Sequence, residues 1–422
     1  MRWLTLPVSL CCLTSVALAQ TAPDPSAPVP PAPVAPAPDA PAPVVVEPPP
    51  VVAPAPVVEP APAPIAVAPS PAPPDDKKSP MTIIVDGYMQ PQFRLRQNSS
   101  VTDDTDGFRF ARVRPMLRAS TKLQDLELTA TFEFEVTPTF AMQDAYAGVT
   151  RKLATDGKTD GKLVFDVGQM RTPLSRQQML SDSRLTFVDK AQIATIAPRR
   201  DLGARLTLVV PYVPRLKVIA GVFNGEGPNQ VQNIDEKKLY ATRLEATLLG
   251  KEASLAEGAF GSDYLTIAGS YGHNGINSGD VSEKVQYLGV DLAGAYRGLS
   301  GEIEYLDVKH TVEPGTSYHA NGWNAQLAYL LPVVLPRDTR LEVGARVEEI
   351  DRNDTTAIVA AGDANQSQRI YTGMITYYLR KHSLKLALAL QHFDEIEDKN
   401  GVGEDASYKN DQAVLQLTYR ME

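Results

Sequence analysis

From Met81 onward, apolar residues alternate with polar or small ones in segments of about ten residues. In the first segment Met89, Phe93 and Leu95 share one face, opposite Gln90, Gln92, Arg94 and Arg96. In the third, Leu126, Leu128, Ala130, Phe132 and Phe134 oppose Glu127, Thr129, Thr131, Glu133 and Glu135. Near residue 341, Leu341, Val343, Ala345 and Val347 oppose Glu342, Gly344, Arg346 and Glu348. The last segment sets Leu415, Leu417, Tyr419 and Met421 against Gln416, Thr418 and Arg420. A period of two sustained this long predicts strands. Sixteen are expected, beginning near residues 82, 108, 126, 140, 162, 201, 215, 240, 263, 284, 299, 318, 340, 367, 383 and 411.

The connections carry a pattern of their own. If both chain ends face the same side, connections after even-numbered strands should be short, as Arg297-Gly298 and Arg380-Lys381-His382 are. The others should be longer, as 97–107, 173–200, 224–239, 351–366 and 394–410 are. An even strand count with this alternation predicts an all-β fold: a 16-stranded antiparallel transmembrane outer-membrane β-barrel. A soluble propeller would show a repeated blade motif, and a sandwich would show apolar faces for a second sheet; neither is present.

Composition changes the picture at the amino-terminal end. Of 35 prolines in 422 residues, 23 lie between Thr21 and Pro80. Before them, Met1-Arg2, an apolar run to Val16 and Ala17-Leu18-Ala19 read as a signal peptide, residues 1–19. Cys11 and Cys12 both fall inside it, so neither disulfides nor thiol chemistry are expected of the mature chain. Residues 20–80 read as a Pro/Ala-rich linker, disordered or in polyproline II, that would reach on the order of 190 Å when extended. It serves either as a periplasmic tether touching the cell wall through residues 21–80 or as a tail without a partner. The barrel domain is expected over 81–422. No apolar run of 18 residues occurs beyond the amino-terminal segment, which excludes helical spans. The formal charge of −9 argues against a nucleic-acid partner.

Charge is unevenly placed. The connection 173–200 carries Leu174, Met179, Leu180, Leu185, Phe187, Val188, Ile193 and Ile196, too apolar for a solvated loop. From Arg171 to Arg200 it also holds six cations (Arg171, Arg176, Arg184, Lys190, Arg199, Arg200) against Asp182 and Asp189, a net of +4. Either it folds into the lumen, apolar side on the wall and cations along a narrow passage, or it is a surface loop with arginines. The stretch 394–411 is acidic, a net of −5, and would oppose anion entry unless it binds divalent cations or lipid headgroups. The histidines His273, His310, His319, His382 and His392 are scattered, with no zinc-ligand spacing, nucleophile elbow or phosphate-cradling loop. No cofactor, metal or enzymatic activity is expected. Glu302 and Glu304, on one face of a strand, suit a hydrated pore wall better than catalysis.

Gly168-Gln169-Met170-Arg171-Thr172-Pro173-Leu174-Ser175, then Leu185-Thr186-Phe187 and Ala197-Pro198-Arg199-Arg200-Asp201-Leu202-Gly203-Ala204, resemble the phosphate-selective porins O and P. Gly107-Phe108-Arg109-Phe110-Ala111-Arg112-Val113-Arg114 and Asp144-Ala145-Tyr146 resemble the same family, although it commonly has paired arginines where this chain has Ala111-Arg112. The resemblance spans roughly 81–422 and is most specific over 107–204. It implies a trimeric sixteen-stranded barrel whose third extracellular loop folds inward, with lumenal cations passing anions to a phosphate- or polyphosphate-binding constriction. The candidate pore-lining residues are Arg94, Arg96, Arg112, Arg114, Arg118 and Asp144; the candidate constriction residues are Arg171, Arg176, Arg184, Lys190, Arg199 and Arg200. A guanidinium fork matches phosphate oxygens, and a series of weak sites lets an anion step through. Alternatively, the arginines pair internally with Glu133 and Glu135 on the adjacent strand.

The function expected is passive diffusion of small anions of the phosphate class. The alternatives are a general or sugar-admitting porin, or a barrel anchoring the envelope through its Pro-rich segment. Expected partners are outer-membrane lipid and lipopolysaccharide, the permeating anions, and further copies in a homotrimer.

Overall fold

The computed structural model describes residues 81–97, 106–153, 161–210, 215–250, 257–258, 260, 263–278, 281–315, 317–333, 335–355, 367–396 and 411–421. The leader, the Pro/Ala-rich linker and most of the acidic connection 394–411 lie outside them. Sixteen antiparallel strands close into one barrel, each paired with its sequence neighbours and the first with the last. They are β1 Thr82–Arg96, β2 Gly107–Leu123, β3 Leu126–Glu135, β4 Ala141–Leu153, β5 Gly161–Arg171, β6 Arg200–Val210, β7 Arg215–Phe223 and β8 Leu239–Gly250. The second half comprises β9 Tyr264–Ser278, β10 Val281–Tyr296, β11 Leu299–Glu313, β12 Tyr318–Leu330, β13 Arg340–Asp351, β14 Ser367–Arg380, β15 Leu384–Glu395 and β16 Gln412–Met421.

The alternation is realised inside out. On β15, Leu386, Leu388 and Leu390 face outward and exposed while Lys385, Ala387 and Ala389 are buried. On β13, Glu342, Arg346 and Glu348 are buried and Val343 is exposed. Burying polar side chains and exposing leucines is unfavourable in water. It is the stable arrangement when hydrocarbon surrounds the barrel and every backbone group is paired within a closed sheet.

Two local devices set the register around the residues that matter. Pairing of β1 with β2 shifts between Gln90 and Pro91, which face Arg112 and Phe110, so Ala111 is an extra residue in β2. Such a bulge changes the parity of one strand, and Pro91, lacking an N–H, fits the irregular step. In β5, Gly168 adopts φ +132°, and a Cβ there would lie 2.2 Å from the Ala145 carbonyl oxygen. Only glycine serves both demands.

The expected long-and-short alternation of connections fails in several places. Odd-numbered β9 and β11 are followed by brief links, 279–280 and 314–317, while even-numbered β8 is followed by the long 251–263. Ladder pairing does not fix connection length, and part of 251–263 packs into the lumen, where Glu257 is buried.

Candidate permeation pathway

Residues 172–199, between β5 and β6, make their contacts with inward-facing side chains on both sides of the barrel. Leu174, Ala191, Ile193 and Ala197 share an apolar cluster with Phe223, Leu239, Val285, Leu306 and Ala320, from β7, β8, β10, β11 and β12. Val188 packs on Ala387, Ala389 and Val414 of β15 and β16. The wall is apolar where the segment lies on it, so burial of those side chains holds it down. Polar ties then fix its path. Ser175 caps the short helix α1 (Arg176–Met179), accepting from the Gln178 N–H at 3.2 Å. The Glu304 carboxylate accepts from the N–H groups of Arg176 and Gln177 at 2.7 and 3.0 Å. Thr172 Oγ1 donates to the Pro198 carbonyl at 2.6 Å, drawing the two ends of the segment together.

Several predicted constriction cations do structural work. Arg176 is 2% exposed and pairs with Glu302 at 2.9 Å. Arg171 donates to the Met179 and Leu180 carbonyls at 2.9 and 2.6 Å, and Lys190 donates to the Gln178 carbonyl at 2.9 Å. This corrects two expectations. Arg176 does not line an open passage, because its guanidinium is enclosed by its own anchor. Glu302 and Glu304 are not hydrated wall residues, because the segment covers them and uses their charge.

Opposite, the segment meets the arginines of β2. Arg114, 4% exposed, contacts Asp182 at 2.7 Å, Glu133 at 3.2 Å and Glu135 at 2.6 Å. It also donates to the Tyr88 hydroxyl at 3.0 Å. Arg112 reaches Asp182 at 3.3 Å and Asp189 at 3.2 Å. The two aspartates that lowered the loop's net charge are therefore its attachment points to the arginine strand. Burial would raise the Asp182 pKa, but Arg112, Lys190, Arg114 and Arg171 outweigh it and hold the carboxyl well below its usual range. Lys190 responds oppositely. Burial pushes its ammonium down to about 7, with Arg171, Arg200 and Arg112 adding to the effect and Asp182 opposing it.

Between the segment and the β2–β7 wall lies a cavity of about 450 Å³. Seven cations line it, Arg118, Lys162, Arg171, Arg184, Arg205, Lys217 and Arg420, against Glu133, Asp144 and Asp166. Several are paired: Arg205 with Asp166 at 2.9 Å, Arg118 with Asp86, and Lys217 with Glu245 at 3.4 Å. Of the predicted residues, Arg118, Asp144, Arg171 and Arg184 meet here. Arg200 stands behind Asp144, paired at 2.7 Å, and Arg199 is exposed where the segment rejoins β6. Arg94 and Arg96 occupy the opposite end of β1 from Thr82, and neither Nε has a hydrogen-bond partner among the described residues.

Sequence reasoning missed Lys162, Arg205, Lys217 and Arg420. Their signal was available, since each shares strand parity with polar or buried neighbours such as Asp166, Thr207 and Thr418. Arg109 had no such signal. Simple alternation places it opposite Arg112, yet the extra Ala111 turns both inward, where Arg109 bonds Gln92 at 3.0 Å and Arg112 bonds Gln90 at 3.1 Å.

The sequence model of a family described as phosphate-selective porin O and P matches residues 83–421. No curated protein matches the chain. Among solved structures, the anion-selective porin from Comamonas acidovorans superposes with TM-score 0.52 at 11% identity, covering 81% of this chain and 100% of that one. The outer membrane channel DcaP of Acinetobacter baumannii gives 0.52 at 12% identity, covering 81% and 97%. OmpT, an outer membrane protein of Vibrio cholerae in its trimer form, gives 0.50 at 12% identity, covering 81% and 99%. At such identities these likenesses establish the barrel fold.

Proposed function

This chain belongs to the phosphate-selective porin O and P family, an outer-membrane channel family, and from that premise we propose that it passes small anions by diffusion through the space between residues 172–199 and the β2–β7 wall. The observation that carries the proposal is the lining of that space, seven cations against three carboxylates in a chain of net charge −9. In a narrow, partly dehydrated passage such an excess acts over longer range than at a free surface. The cations form a path: Arg94 and Arg96 at one end of β1, then the lined cavity, which includes Lys162 at the start of β5. Paired guanidiniums such as Arg205 keep spare N–H donors and attract without trapping.

The selectivity proposed is for anions as a class, with phosphate among them. Arg112 and Arg114, the arginines placed best for a dedicated phosphate clamp, are both occupied by carboxylates. That pairing also favours the second reading, a general porin. The rim bearing the β2–β3 and β10–β11 turns faces the periplasm in this proposal, which puts the linker 20–80 on that side. Three copies assemble, as in the trimer form of the Vibrio cholerae protein.

Purified protein in a planar bilayer under a potassium chloride gradient tests this. An anion-side reversal potential is expected, moving toward zero when Arg118 and Arg205 are changed together to glutamine. A cation-side reversal in the unaltered protein would overturn anion transport. Chloride current unaffected by added phosphate would restrict the function to small anions without phosphate binding.

A further inference from the structure

Glu257 lies in the connection 251–263 after an even-numbered strand, yet it contacts residues 172–199, which follow an odd-numbered one. Contact between segments from opposite rims requires that they meet within the lumen. The meeting point is Glu257. Its carboxylate accepts from Gln177 Nε2 at 2.9 Å, Gln326 Nε2 at 2.8 Å and the Thr186 N–H at 2.7 Å. Its own N–H donates to the Arg184 carbonyl at 3.0 Å, and its carbonyl lies 2.9 Å from His382 Nε2. One residue thus ties α1, the strand of chain after Arg184, β12 and the β14–β15 turn. Beside it the remaining void is about 10 Å³, room for one water molecule at most.

What this junction covers differs in charge from the lined cavity. The wall beneath carries Glu302, Glu304, Glu342 and Glu348 against Arg346 and Lys385. Arg176, which neutralises Glu302, belongs to the covering segment and would leave with it. We propose that Glu257 is a latch on this acidic β11–β15 sector of the lumen, adding to the other ties of the segment and keeping closed a second path, of opposite charge, beside the anion path. The proposal rests on the channel function above and makes Glu257 a positioning residue for its selectivity. Without the carboxylate, three buried N–H groups lose their acceptor at once, which favours lifting the segment on this side. The path then opened draws cations, in parallel with the anion path.

Full-length Glu257→Ala and Glu257→Gln proteins in planar bilayers provide the test. Glu257→Ala should raise single-channel conductance roughly 1.5- to 2-fold, as a second parallel path would, and move the reversal potential toward the cation side. Glu257→Gln, which keeps one acceptor oxygen, should shift both less. Ala328, buried and lining the void, gives an independent readout, because both natural cysteines lie in residues 1–19. Ala328→Cys should resist a cationic methanethiosulfonate reagent while Glu257 is present. It should react once Glu257→Ala or Glu257→Gln is added, and faster than with an anionic reagent. Anion selectivity in the unaltered protein with no change of conductance or labelling in either variant would overturn the latch and leave the anion path standing. Cation selectivity in the unaltered protein, with labelling and conductance still rising, would overturn the anion path and leave the latch.

Discussion

Arg114 shows how a lumenal cation can be lost to permeation. Its guanidinium is divided among Asp182, Glu133 and Glu135, so a passing anion would have to displace carboxylates already in contact. Its work is to fasten the inward segment to β2. Changing Arg114 to methionine should leave buried Glu135 without its cation and take one of several cations from Asp182 and Glu133, at a cost of about 3–5 kcal/mol, read as a lower temperature for loss of the folded band on electrophoresis. Lys190, which donates to the Gln178 carbonyl, differs from Arg114 in that its charge depends on pH. With its pKa near 7, and facing Asp182 together with Arg171, Arg200 and Arg112, it is charged below that pH and neutral above. Anion preference should therefore be stronger at pH 6 than at pH 8, and the difference should vanish in Lys190→Met; an equal pH response in both proteins would exclude Lys190 as its source. Along β2, Arg114 shares the parity of Arg112 and Arg118. Parity could not supply the pairing, because the third partner, Asp182, is 68 residues away and arrives only when the segment folds in.

At the scale of elements, period two carried nearly all the information. The observed strands begin within a few residues of the expected positions, because each must present one face to hydrocarbon and one to the lumen along its length. The pattern misses insertions. A single extra residue, Ala111, reverses the parity of everything before it in β2 and brings Arg109 beside Arg112, which strict alternation denies. Gly168 is the companion case, where a motif residue has a backbone reason. Its positive φ and the 2.2 Å approach of the Ala145 carbonyl oxygen leave no room for a side chain. Gly168→Ala should destabilise the β4–β5 pairing by about 1–3 kcal/mol and reduce the heat-resistant fraction after refolding. Equal heat resistance would mean that β5 adjusts without loss.

The chain divides into two units, residues 1–72 and 73–422, and among the described residues the barrel strands begin at Thr82. Removing residues 21–80 while keeping the signal peptide should leave conductance, selectivity and heat resistance unchanged, and any loss of channel activity would give that stretch a part in the pore. The sequence by itself determined the barrel: the strand number, their order, the face each presents, and the segment too apolar and too basic for a surface loop. These follow from short-range alternation, which the surrounding solvent enforces strand by strand. Only the tertiary structure decided which charges remain available to a solute. It used Arg114 and Arg176 as fasteners, covered Glu302 and Glu304, brought Lys162, Arg205, Lys217 and Arg420 to the cavity, and placed Glu257 against a segment from the opposite rim. The physical reason is that ion pairing and enclosure depend on contacts between residues tens to hundreds of positions apart, which alternation along one strand does not encode.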